Sequence, residues 1–192
     1  MAVPVTVFSD FACPFSYVTE AMLRRMEAAG EIESTYLAYE LFPAPAPLRG
    51  GGGEWMEALT PLADELGLEI GVPPAPVRTA KAHEAAAFAQ SRGTGPAMRD
   101  AIYRAYFVDG RDISRIDVLV ALGTALGMDA GEMKVVLDVD TWAPRIAAEQ
   151  DAARRAGVDG TPTVVVGTGD AAQWLVGARP YAELRAALLG NE

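Results

Sequence analysis

Apolar residues recur along this chain with two different periods, and the switch between them divides it into regions. Val3, Val5 and Val7 with Phe8 make a β-branched, almost wholly apolar run, as expected of a strand buried on both faces of a partly parallel sheet. Phe15, Val18, Met22, Leu23 and Met26 then follow at helical spacing, and Gly30 stands where that helix would end. From Ile32 to Leu41, with Tyr36, Leu37 and Tyr39, the pattern predicts a second strand. Together these segments predict a strand, helix, strand unit.

The next hundred residues change character. They begin with a hinge, FPAPAPLRGGGG, whose prolines and glycines discourage both helix and ladder. Beyond it, periodic apolar faces such as Ile102, Tyr103, Tyr106 and Phe107 predict helices near 54–66, 78–92, 95–107, 114–127 and 129–138. Residues 43–139 therefore read as an all-helical insertion. A longer helix near 140–156 ends at Gly157, and Gly160-Thr161-Pro162-Thr163 leads into the buried-strand run Val164–Val166. Gln173 to Val176 pairs with that run as a hairpin across Gly167–Asp170, and Tyr181 to Leu189 closes the chain as a helix. The predicted α/β order is βαβ, helices, αββα.

Composition narrows the function classes. At 192 residues the chain suffices for one good core carrying an inserted subdomain, and 51% apolar with 22% charged residues is the balance of a folded protein. A formal charge of −10 would repel phosphate backbones and anionic lipid, so neither nucleic acid nor a membrane is expected as a partner. No apolar run approaches the roughly 20 residues that span a bilayer, and MAVPVTVFSD lacks the basic segment and apolar core of a secretory signal. The expected location is cytoplasmic. One cysteine forms no internal disulfide, and one histidine argues against multi-ligand zinc, so no metal site is expected.

That cysteine lies in Asp10-Phe11-Ala12-Cys13-Pro14-Phe15-Ser16-Tyr17, where the first strand stops and the first helix begins. At a first helical turn, unpaired N–H groups and the helix dipole favour thiolate over thiol. Pro14 suits the first helical position, and Ser16 stands one turn up, where its hydroxyl could donate to the sulfur. The competing reading is a buried filler, since free cysteine is among the most buried residue types. Asp10 reads either as a partner of the helix N-terminus or as a turn residue. Phe15, Tyr17, Trp55 and Phe107 are candidates for an apolar cleft, with core packing as the alternative.

DFACPFSY, the Lys81-Ala82-His83 run, RAYFVDGRDIS from Arg104 to Ser114, GVDGTPTVVV from Gly157 and GARPYAEL from Gly177 together resemble the DsbA family of thioredoxin-fold oxidoreductases. The branch most similar is FrnE-like, beside 2-hydroxychromene-2-carboxylate isomerase and kappa-class glutathione transferase. The resemblance implies a thioredoxin domain built from 1–42 and 140–192, with 43–139 as its helical insertion. By the same resemblance Cys13 is the nucleophile with Ser16 beside it, Thr161-Pro162 is a cis-proline site, and His83, Pro14 and Phe15 contribute to substrate binding. The family's motif has cysteine at both ends, and here its second position is Ser16, so an internal thiol cannot resolve a mixed disulfide.

Three functions follow. The first is a monothiol oxidoreductase acting on disulfide-containing proteins or small-molecule thiols, with an external thiol as resolver. The second is a glutathione-dependent isomerase or transferase, and the third a redox-inactive peptide-binding module. No tightly bound cofactor is expected, glutathione is the candidate co-substrate, and a homodimer is left open.

Overall fold

The computed structural model describes residues 1–49 and 52–190, and the side chain of Asp170 lies outside the described set. The centre of the predicted hinge, Gly50–Gly51, falls outside it too. The apolar run at the start forms β1 (Val3–Ser9), and Pro14, which lacks the N–H that a first turn leaves unpaired, opens α1 (Pro14–Ala28). Gly30 takes φ +71° just beyond α1 and turns the chain into β2 (Ile32–Ala38). Five helices follow: α2 (Met56–Leu66), α3 (Ala80–Ser91), α4 (Gly95–Phe107), α5 (Ile116–Ala125) and α6 (Ala130–Asp138). The chain then returns through α7 (Ala143–Arg155), β3 (Thr163–Val166), β4 (Gln173–Val176) and α8 (Tyr181–Leu189).

The four strands make one mixed sheet in the order β2-β1-β3-β4. β2 runs parallel to β1, with Val3 opposite Ile32, whereas β3 is antiparallel to β1, with Phe8 opposite Thr163. This is the α/β arrangement and element order expected. β2 is shorter than predicted, because β1 has ended by the level of Ala38 and offers no further ladder. Side chains take over that role. Leu41 N–H donates to Asp10 (2.7 Å), while Gln150 accepts from Glu40 N–H (2.6 Å) and returns a bond to its carbonyl (3.1 Å). Arg78 further ties the Phe42 and Ala46 carbonyls.

Two large apolar clusters hold the fold, and α1 contributes to both. Val18, Met22, Leu23 and Met26 face Val5, Val7, Val164 and Leu184 on one side of the sheet. Tyr17 instead joins Phe11 and the helical cluster around Met98, Ile102 and Phe107. Leu59 and Ala63 of α2 bury themselves in the sheet cluster, and Trp55 packs against both. The first turn of α1 therefore sits where sheet and helices meet. Among the described residues no helix is long and apolar enough to cross a membrane.

Candidate active site

The register of β1 against β3 sets the loop leaving β1 beside the Thr161–Pro162 step that opens β3. They meet at Cys13. This residue is the N-cap of α1 in an extended conformation, its amide held by the Asp10 carbonyl (3.0 Å). Its thiol donates to the Thr161 carbonyl at 3.3 Å, and the Thr161–Pro162 peptide is cis. Ser16 is fully buried, and its hydroxyl accepts from Asp10 N–H at 3.4 Å, which leaves the hydroxyl proton free to point at the sulfur.

Burial has the largest influence on this thiol. Cys13 is 3% exposed, and desolvation pushes its pKa above the ordinary value. Thr161 and then the hydroxyl and amide of Ser16 pull it down without overcoming burial, and the nearby Asp10 charge adds to the rise. The lowering expected of a helix start is thus corrected: the same packing that places sulfur at the N-terminus removes it from water. A linkage follows. The native state holds the Cys13 proton more tightly than the unfolded chain, so the stabilisation is fully present below the unfolded thiol's pKa, about 8.5, and is lost as pH rises through the higher folded value. Urea unfolding should accordingly show wild type losing stability relative to Cys13→Ala above about pH 9. Parallel curves to pH 11 would contradict it.

Cys13, Pro14, Phe15 and Thr161 line a cleft of about 270 Å³ together with Leu41, Trp55 and Phe107. Arg49 also reaches it. Three candidate residues lie outside this wall, Tyr17 by taking the core-packing alternative. Tyr17 is not a wall residue but is fully buried, stacked on Tyr103 (5.1 Å) and Phe107 (5.6 Å). His83 is also outside the wall; it is buried behind the loop and lines a second cavity instead. Pro162 is buried and does not line the cleft, which Thr161 alone of that pair faces.

Beneath the loop lies a charged network that residue types alone do not suggest. Glu20 of α1 receives Arg99 of α4 through Nε (2.7 Å) and a second guanidinium nitrogen, while Tyr103 donates to it at 2.7 Å. Arg99 also donates to the Ser9 hydroxyl (2.7 Å) and stacks over Phe11 and Tyr36 at 4.8 and 4.5 Å. Burial alone would raise the Glu20 pKa, but the Arg99 charge and the bonds from Arg99, Tyr103 and Ser9 hold it below the usual carboxylate range. A retrospective signal exists: Glu20 lies three residues after Tyr17 and Arg99 four before Tyr103, so both charges sit on apolar stripes. Asp10, read from the sequence as a helix partner or a turn residue, bonds backbone on both sides of the loop. Its carboxylate accepts Ala12 N–H (3.2 Å) as well as Leu41 N–H, joining the cysteine loop to the cleft wall.

Comparison with known proteins gives a consistent fold. A family model described as a DSBA-like thioredoxin domain matches residues 4–189. The protein YwbO of Bacillus subtilis (strain 168) is 28% identical over 177 residues, covering 87% of this chain and 88% of its own. A probable DsbA oxidoreductase from Streptomyces coelicolor superposes with a TM-score of 0.81 at 25% identity, over 99% of this chain and 91% of that one. The cytosolic disulfide reductase DsbM from Pseudomonas aeruginosa does so with 0.73 at 22% identity, over 97% of each chain, and was also solved with GSH. 2-Hydroxychromene-2-carboxylate isomerase gives 0.77 at 19% identity, over 96% of this chain and 93% of that one.

Proposed function

The chain belongs to the DSBA-like thioredoxin domain family, and from that premise we propose that it is a thiol-disulfide oxidoreductase working through a single sulfur, Cys13. The observation that carries this reading is the meeting of Cys13 with the Thr161–Pro162 step at the edge of an apolar cleft. In the proposed reaction the Cys13 thiol first loses its proton to solvent. The thiolate then attacks one sulfur of a disulfide, forming Cys13–S–S–R and releasing the other half as thiolate. A second, external thiolate then attacks the substrate-side sulfur of that bond, expelling Cys13 as thiolate and leaving a new disulfide between the two external sulfurs. Ser16 assists as a hydrogen-bond donor to the sulfur anion and cannot resolve the intermediate, because its oxygen forms no disulfide. Phe15, Trp55 and Phe107 supply an apolar surface for the flank of the disulfide, and glutathione serves as co-substrate.

One observation favours a second reading, a glutathione-dependent isomerase or transferase. A thiol held protonated by burial is a poor nucleophile at neutral pH, whereas a bound glutathione could bring its own sulfur to the same cleft. Retained turnover in Cys13→Ser would select this alternative.

The primary reading predicts a stoichiometric glutathione adduct at Cys13 on incubation with oxidised glutathione, measured by intact-protein mass spectrometry. Below the thiol's pKa its rate should rise roughly tenfold per pH unit, following the thiolate fraction. Protein that stays unmodified at pH 9.5 would rule the reading out.

A further inference from the structure

Asp10 is 1% exposed, and a carboxylate so buried must be met by donors or charge. Two come from backbone, Ala12 N–H and Leu41 N–H. The third group facing it is His83, whose Nε2 lies 3.5 Å from Asp10 Oδ1 and has no hydrogen-bond partner within normal range among the described residues. The imidazole is 3% exposed and packs on the Phe11 ring at 4.9 Å. A shift of about 0.5 Å would close the gap into an ordinary N–H···O bond. His83 also lines a separate cavity of about 200 Å³ behind the loop, shared with Tyr36, Gln90, Arg99, Arg145 and Glu149. On the other side, Asp10 holds the Cys13 amide through its carbonyl and its charge opposes the Cys13 thiolate.

We propose that His83 is a positioning residue for Cys13 that acts through Asp10: a charged imidazole bound to the Asp10 carboxylate cancels its field at the sulfur, and a neutral one restores it. His83 thereby tunes the thiol from the side opposite the substrate cleft, a role distinct from substrate binding. The cavity behind it gives the imidazole a route for proton exchange that a disulfide occupying the cleft does not block.

The other charges around the pair are fixed by partners of their own. Arg99 of α4 is paired with Glu20 of α1, and Arg145 of α7 with Glu149 at 2.7 Å. Glu84, next to His83 on α3, receives Lys81 at 2.9 Å. Glu40 in the segment after β2 is the remaining acid that feels His83; burial, the larger influence, raises its pKa and the imidazole opposes this, with Arg78 nearby. Glu40 therefore joins Asp10 among the groups that respond to imidazole charge. Replacement of Glu40 provides the control.

The inference rests on Cys13 being the reacting thiol of the proposed function, and the test separates the two. The rate of Cys13 alkylation by iodoacetamide is measured against pH in the full chain. The chain contains one histidine, so its imidazole NMR signal is read without ambiguity in the same protein. Wild type is expected to show an acid-side inflection in alkylation rate coincident with the His83 titration. His83→Gln, which keeps a donor without a titrating charge, should lose that inflection and react about 3- to 10-fold more slowly on the acid side, the change given by half to one pKa unit. Asp10→Asn should react faster by a similar factor, and His83→Gln should change nothing further in that background. Glu40→Gln should keep the inflection.

A wild-type profile without an inflection at the histidine midpoint overturns the inference while leaving the oxidoreductase reading intact. An undiminished effect of His83→Gln in the Asp10→Asn background overturns it too, as does loss of the inflection in Glu40→Gln. A thiol that fails to alkylate at any pH defeats both. The wild-type measurement needs no variant, so it decides even if Asp10→Asn does not fold.

Discussion

Arg99→Leu should lower folding stability by about 3–5 kcal/mol, the cost of leaving one member of a buried ion pair uncompensated. Glu20 would remain fully buried with only Tyr103 and Ser9 to meet its charge. Urea unfolding at pH 7 measures the loss, and a change under about 1 kcal/mol would mean that water reaches the carboxylate. The pH dependence offers a sharper signature. In wild type the Glu20 pKa is held below its unfolded value, so its contribution is present above that value and is lost as pH falls through the folded one. Without Arg99, desolvation is left as the dominant influence and the folded pKa lies above the unfolded one. The contribution then reverses: it is present at low pH and lost as pH rises. Above about pH 4 the variant's stability should fall with rising pH, where the wild-type contribution of Glu20 is already complete and flat; in wild type that contribution changes only at lower pH. Replacing both members with apolar residues, Glu20→Leu with Arg99→Met, is expected to recover most of the loss, since neither charge then remains to be solvated.

Ser16→Cys should produce the largest change in chemistry. The introduced thiol would stand one turn above Cys13, where the present hydroxyl and amide already influence the sulfur. A mixed disulfide at Cys13 could then be attacked from within, releasing its substrate as thiolate and leaving an internal disulfide that needs an external reductant to reset. Because an intramolecular thiol acts at high effective concentration, release from a preformed glutathione adduct is expected to accelerate by at least ~100-fold over millimolar external thiol. Quenched mass spectrometry would follow adduct loss directly. An adduct as long-lived as that of wild type would show that positions 13 and 16 are not aligned for exchange.

Local pattern carried much of the architecture. The valines of β1, the proline opening α1, the glycine after it and the Gly160–Thr163 turn each declare themselves through conformational preference. β2 was less legible, because its extent depends on where β1 ends. Tyr39 N–H still reaches the Ser9 carbonyl of β1 (3.1 Å), but Glu40 and Leu41 find Gln150 and Asp10 instead of a neighbouring strand. At the site, Cys13, Pro14, Phe15 and Thr161 line one cleft. The height of the Cys13 pKa does not follow from DFACPFSY, since the desolvating cover includes groups supplied from far along the chain. The surroundings of His83 were not legible for a related reason: the pattern puts it on α3, but which side of the loop α3 approaches is decided by packing. Glu20 and Arg99 each read as ordinary helix charges until their partner is known.

The antiparallel register that joins Val5 to Val166 also has a meaning in time. The strand bearing the reactive loop leaves a ribosome well before the strand that pairs with it. Such distant pairing is intrinsically slow to form, because the loop-closure entropy must be met before the ladder rewards it. Until that later strand is in place, the sulfur lacks the burial that raises its pKa, part of whose cover comes from around Thr161, 148 residues further on. Completion of the fold and quieting of the thiol are one event, so a chain stalled before β3 would present an unshielded cysteine to whatever oxidants surround it.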